Sequence, residues 1–169
     1  SVMVRDYYRD LDTLYEKHVQ GARVAPYVTH LPLYTLRAAA GKFREDMEVE
    51  PEGWVKAPEG MRLAPDMFAA HISGRSMEPR IPDGSLCMFR SGVAGSRDGK
   101  LMLIQNQGAS ESGGEFTIKR YRSFKSGGEG EWRHARIRLE PLNPEFEAWD
   151  LDPAELDEGG RYRAVAEFI

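Results

Sequence analysis

The chain has one cysteine, four histidines, no long apolar run and no excess of positive charge, and each shortage removes a class of function. Cys87 alone cannot close an internal disulfide and fits a reducing, cytoplasmic setting. Four scattered histidines beside that cysteine give no metal-ligand spacing, so neither a metal nor another cofactor is expected. Apolar stretches of only a few residues exclude a membrane-spanning helix. Arg5, Asp6, Arg9, Asp10 and Asp12 interrupt any opening segment that could serve as a signal peptide. Lys and Arg number 23 against 27 Asp and Glu, a formal net charge of −4, so the chain as a whole offers nucleic acid no basic field. DNA is then expected to be reached only through a separate or missing N-terminal domain. The start at Ser1, without an initiator methionine, suggests a piece of something longer.

What is present describes a globular protein. Its 169 residues, 41% apolar and 30% charged, suffice for one core-bearing domain with an arm. Tyr7, Leu11, Leu14, Tyr15 and Val19 recur at helical spacing, so residues 4–20 read as a packing or dimerising helix closed by Gly21. Pro26 and Pro32 then suggest an extended connector, making residues 1–32 an arm and residues 33–169 the domain. Beyond Leu33 short strands alternate with turns. Phe68, Ala70 and Ile72 keep period two, and Leu86–Phe89, Leu101–Ile104, Phe116–Ile118, Ala135–Leu139 and Tyr162–Ile169 follow. Ser91-Gly92, Asp98-Gly99, Gly113-Gly114 and Gly127-Gly128 supply the turns between them. The fold class expected is mainly β, a compact antiparallel domain preceded by a helix.

One segment stands apart: His71-Ile-Ser-Gly-Arg-Ser-Met-Glu-Pro-Arg-Ile-Pro-Asp-Gly-Ser85. An apolar strand ends in Gly74, then Ser76 and Met77 enter a turn shaped by Pro79, Pro82 and Gly84. Such a turn presents a hydroxyl at a strand end. Serine is a poor nucleophile until a base takes its proton. The best base is Lys119 in Glu115-Phe-Thr-Ile-Lys-Arg-Tyr121. Alternation puts Phe116, Ile118 and Arg120 on one face and Thr117, Lys119 and Tyr121 on the other. An unperturbed lysine, pKa about 10.4, is neutral in only about one molecule in 2,500 at pH 7, so Lys119 must be desolvated to serve. Desolvation and hydrogen-bond reach of Ser76 are both expected. The backbone N–H of Ser76, with that of Met77, is the expected oxyanion donor. His71 is a weaker base candidate, Cys87 reads as a small buried hydrophobe, and Trp54, Trp132 and Trp149 read as core or rim aromatics.

These residues resemble the LexA/UmuD family of self-cleaving serine peptidases, which includes the phage repressors. Ser-Gly-x-Ser-Met-x-Pro, a downstream Ile-Lys-Arg strand and an upstream Ala-Ala-Gly carry the resemblance, which runs from about Leu33 to the C-terminus. It implies that Ser76 and Lys119 form a Ser/Lys dyad cutting the chain's own Ala40–Gly41 bond, 35 residues ahead of the serine. Ala38-Ala-Ala-Gly41 suits a substrate, because small side chains let its backbone lie deep in a cleft. Arg37 and Lys42 would keep it solvated as an undocked loop. The resemblance further implies a switch in SOS, DNA-damage or phage and defence transcriptional regulation, and a RecA–single-stranded DNA filament as activator. It also implies a homodimer through the C-terminal strand: Tyr162–Ile169 is apolar on both faces, an edge hazard unless covered. Signal-peptidase-like processing, and a non-proteolytic dimerising module of a larger DNA-acting protein, are the alternatives.

Overall fold

A computed structural model describes residues 23–93, 95–108, 115–125, 135–157 and 159–169. The helix expected over residues 4–20, Trp132 and the Gly113-Gly114 and Gly127-Gly128 turns lie outside the described residues. The fold is mainly β, as the pattern of short strands predicts. The strands are β1 (His30–Leu33), β2 (Gly53–Lys56), β3 (Met67–His71), β4 (Leu86–Arg90), β5 (Leu101–Asn106), β6 (Phe116–Lys125), β7 (Ala135–Glu140), β8 (Trp149–Leu151) and β9 (Tyr162–Phe168). They form one sheet in the order β2-β1-β3-β4-β9-β5-β6-β7-β8. All pairings are antiparallel except β1 with β3, which meet at Leu33 and Ala69. One α-helix, α1 (Leu36–Glu45), is found among the described residues.

Two apolar clusters cover the sheet. The larger gathers Leu31, Val55, Phe68, Ile81, Phe89, Leu103, Ile118 and Ala166; the smaller gathers Met102, Ile104, Tyr121, Ile137, Leu139 and Ala164. Period two explains the division on β5, where Leu103 belongs to one and Met102 and Ile104 to the other. An aromatic stack ties the first cluster together. Phe43 of α1 lies 5.2 Å from Phe68, Phe68 lies 5.3 Å from Phe89, and Phe89 meets Phe168 edge-on at 6.2 Å.

The connector expected through residue 32 ends earlier, because β1 begins at His30. Pro32 is tolerated inside that strand because β1 reaches β2 through other residues: Leu33 accepts from the Glu52 N–H and Thr29 from the Ala57 N–H. The C-terminal strand differs more. It is no edge: β9 lies between β4 and β5, pairing Phe168 with Phe89 on one side and Ala166 with Leu103 on the other. The edge-based argument for a dimer falls with it. Its apolar faces serve the protein's own two clusters, and a register shift between Leu103 and Ile104 moves Ala164 into the second cluster while Val165 and Ala166 stay in the first. Deleting Ala166–Ile169 should therefore abolish cooperative unfolding in urea and the near-ultraviolet circular dichroism of the packed aromatics. A folded, monomeric truncation product would contradict the central place of β9.

Candidate active site

The turn after β3 is built from its own backbone. The Ile72 N–H donates to Ser85 O (3.0 Å) and the Gly84 N–H to Ile72 O (2.9 Å), closing the base of the loop. Gly74 adopts φ +113°, a conformation nearly confined to glycine. Its N–H donates to the Asp83 carboxylate at 2.8 Å, so Asp83 holds the loop's two limbs together. Met77 and Ile81 are buried in the larger cluster and joined by an Ile81 N–H to Met77 O bond of 3.0 Å. Apolar anchors on the C-terminal side and a left-handed glycine on the N-terminal side leave Ser76 at the crest. It is only 9% exposed.

Ser76 Oγ lies 3.4 Å from Thr117 Oγ1. Thr117 and Lys119 share a face of β6, about 6.6 Å apart at strand rise. The direct Ser76–Lys119 hydrogen bond expected above is absent among the described residues; Thr117 occupies that place beside the hydroxyl. His71 ends β3 in an exposed position with its Nδ1 3.4 Å from Gly84 O.

Lys119 is 3% exposed. Across the sheet it faces Met102, and its Nζ lies 5.0 Å from the centre of the Trp149 ring. Burial lowers its pKa from 10.5 to about 8, with no charged neighbour contributing. An ammonium there would have only the ring face for partial compensation, so the amine is substantially neutral in mildly alkaline solution. Sequence reasoning reached the need for desolvation but placed Trp149 only as a generic aromatic. Thr117 and Asn143 were missed as well. Asn143, 8% exposed, donates through its backbone N–H to Ser76 O and through Nδ2 to Arg75 O, each at 2.9 Å.

The Ala40–Gly41 bond sits elsewhere, in the body of α1 rather than in a loop. Leu36-Arg-Ala-Ala-Ala40 is a run of strong helix formers. Thr35 caps it, accepting the Ala38 N–H at 3.1 Å, and Asp46 ends it in the left-handed conformation at φ +52°. Ala39 and Ala40 are buried in the larger cluster, whereas Lys119 lies against the smaller one. Three ion pairs fasten the helix to the sheet side: Arg37–Glu115 at 2.7 Å, Glu45–Arg163 at 3.1 Å and Arg44–Asp157 at 3.7 Å. The expected solvated loop is thus a packed helix.

The model of the Peptidase S24-like family matches residues 32–162, from within β1 to the first residue of β9. The chain belongs to the Peptidase S24-like family, and its domain is of the self-cleaving serine-peptidase type. No curated protein matches it. Among the described residues no helix is long and apolar enough to cross a membrane.

The buried amine has a thermodynamic signature. Its folded pKa of about 8 lies below the unfolded value, so between these two the unfolded chain binds more protons and stability rises with pH. Lys119→Met should remove that slope. Urea unfolding at pH 7 should find the variant more stable by up to about 3 kcal/mol, shrinking toward zero near pH 10. A constant difference across that range would mean that the amine is not desolvated in the folded protein.

Proposed function

We propose that this domain is a Ser/Lys-dyad peptidase in which Ser76 is the nucleophile and Lys119 the general base, and that its substrate is its own Ala40–Gly41 bond. The observation that carries the reading is the burial of Lys119 without a counter-charge, one same-face step along β6 from the threonine that touches Ser76 Oγ. A structural lysine gains nothing from such a place, whereas a base does. With a pKa of about 8, roughly one molecule in ten carries the free amine at pH 7, some 250-fold more than an exposed lysine.

In the reaction Lys119 Nζ accepts the Ser76 proton as Oγ attacks the Ala40 carbonyl carbon. The tetrahedral oxyanion then faces the N–H groups of Ser76 and Met77, neither of which donates to an acceptor among the described residues. Collapse expels the Gly41 amine, which takes the proton from the lysine. Water then releases the ester of Ala40 from the serine. Thr117 lies close enough to steer the hydroxyl before Lys119 swings to it.

The helical substrate sets the rate. A nucleophile needs an exposed, extended carbonyl, and Ala40 is 2% exposed inside α1. Residues around the bond must therefore unwind and leave the larger cluster before docking, so the observed rate is the chemical rate scaled by the small unwound population. This is a built-in delay. A partner that captures the unwound segment would act as an inducer; a RecA filament and an SOS or defence output are carried by the family resemblance alone. The same helix favours one alternative, that the dyad acts on another chain and α1 stays intact.

Mass spectrometry of purified protein held between pH 7 and 10 tests the reading. Self-cleavage between Ala40 and Gly41 should rise about tenfold per pH unit and flatten above pH 8, and Ser76→Ala and Lys119→Met should each stop it. Cleavage that persists in either variant, or maps elsewhere, removes the dyad or the site respectively. The helix makes a separate forecast. Thr35→Ala, which loses the N-cap, should speed cutting roughly fivefold, and Asp46→Gly, which relaxes the left-handed C-cap, should slow it by a similar factor. Equal rates in all three proteins would show that unwinding does not limit the reaction.

A further inference from the structure

The connection from β7 to β8 touches both halves of the proposed site within seven residues. Asn143 sits at its start and Trp149 at its end. Trp149 walls the Lys119 amine at 5.0 Å, while Asn143 reaches across to the nucleophile turn. Asn143 makes two bonds to that turn, its N–H to Ser76 O and its Nδ2 to Arg75 O, both at 2.9 Å. These are the carbonyls of the nucleophile and of the residue before it. The side-chain oxygen is used as well, accepting the Glu145 N–H at 3.0 Å, and the Asn143 carbonyl accepts from Phe146 at 3.1 Å. Donor and acceptor ends of one amide thus join the connection's own turn to the serine loop. Arg75 turns its guanidinium outward to Glu78 at 2.6 Å, and its carbonyl accepts the Glu78 N–H at 3.1 Å beside the bond from Asn143.

We infer that Asn143 is a positioning residue for Ser76: by clamping the Arg75 and Ser76 carbonyls it aims the Ser76 hydroxyl and the adjoining N–H groups at the reacting carbonyl. The physical reason lies in the loop's construction. Its C-terminal limb is anchored by Met77 and Ile81 and its N-terminal limb by Gly74 and Asp83; between them, among the described residues, the Ser76 carbonyl is held by Asn143 alone and the Arg75 carbonyl by Asn143 together with the Glu78 N–H at 3.1 Å. Peptide rotation there would swing the N–H of Ser76 or Met77 away from an oxyanion, and a displacement of about 1 Å is enough to cost on the order of 100-fold in rate. The backbone bond to Ser76 O survives substitution, so the side chain's part is the bond to Arg75 O: aspartate keeps the acceptor for Glu145 but loses that donor, and alanine loses both.

The inference rests on Ser76 being the nucleophile, and its test separates the two claims. The probe is a fluorophosphonate, which reacts with an activated serine whether or not α1 unwinds. Labelling rates at Ser76, read by peptide mass spectrometry, are compared for the native chain, Asn143→Asp and Asn143→Ala at pH 7 to 10, alongside urea unfolding of each. The expected result is at least a tenfold lower rate at the high-pH plateau for both variants. The pH midpoint should stay unchanged, since Lys119 keeps its surroundings, and the loss should be present even where urea shows the variant fully folded. Asn143→Asp retains the turn at Glu145 and keeps the test valid if Asn143→Ala does not fold. Plateau rates within twofold of the native chain in folded Asn143→Asp would overturn the positioning role while leaving the dyad standing. Absence of labelling in the native chain would overturn the nucleophile assignment, and the inference with it.

Discussion

A sheet covered by apolar clusters on both faces leaves the middle of β6 no solvent side, and that constraint governs Lys119. Whichever face its side chain leaves from, it meets protein: Ile118 points into one cluster while Lys119 lies against Met102 and Trp149 at the other. Placing an amine there is unfavourable for the charged form, and the free energy of that desolvation appears as a lowered pKa. Stability and proposed chemistry are thus coupled through one group. The fold tolerates the lysine because the rest of the sheet is apolar and well paired.

The proposed substrate bond and the proposed base pack against different clusters, Ala40 in the larger and Lys119 beside the smaller. Helix α1 uses its small residues, Ala39 and Ala40, to approach the sheet closely, and Phe43 stacks on Phe68 to hold it there. Small side chains that suit a deep cleft also suit a tightly packed helix, so Ala38-Ala-Ala-Gly41 is compatible with two environments. Helix propensity, the Thr35 cap and three ion pairs favour the packed one at rest. In the proposed reaction the extended form is a minor state.

Legibility in the sequence followed the range of the interactions. The six strands marked by period-two or apolar runs were readable because each declares itself within a few residues. β1 was hidden by Pro32, β2 by its four-residue length and β8 by having only Trp149, Asp150 and Leu151. Ser76 was readable because a serine between Gly74 and two prolines has few other uses. Asn143 and Thr117 were not, because an asparagine before a proline reads as turn chemistry and a strand threonine as ordinary. Their meaning depends on partners 68 and 41 residues away.

The order of residues alone determined the class of fold, the Ser76 turn and the candidate lysine, since these depend on backbone preferences and on residue chemistry within one short segment. Tertiary structure decided the rest. It put β9 in the centre of the sheet instead of at its edge, because Phe89 and Leu103 supply partners on both sides that no local pattern announces. It wrapped Ala40–Gly41 into a helix, because the cluster beneath rewards burying the two alanines. And it withdrew Lys119 from water, because desolvation depends on what other strands bring alongside a side chain, not on the residue itself.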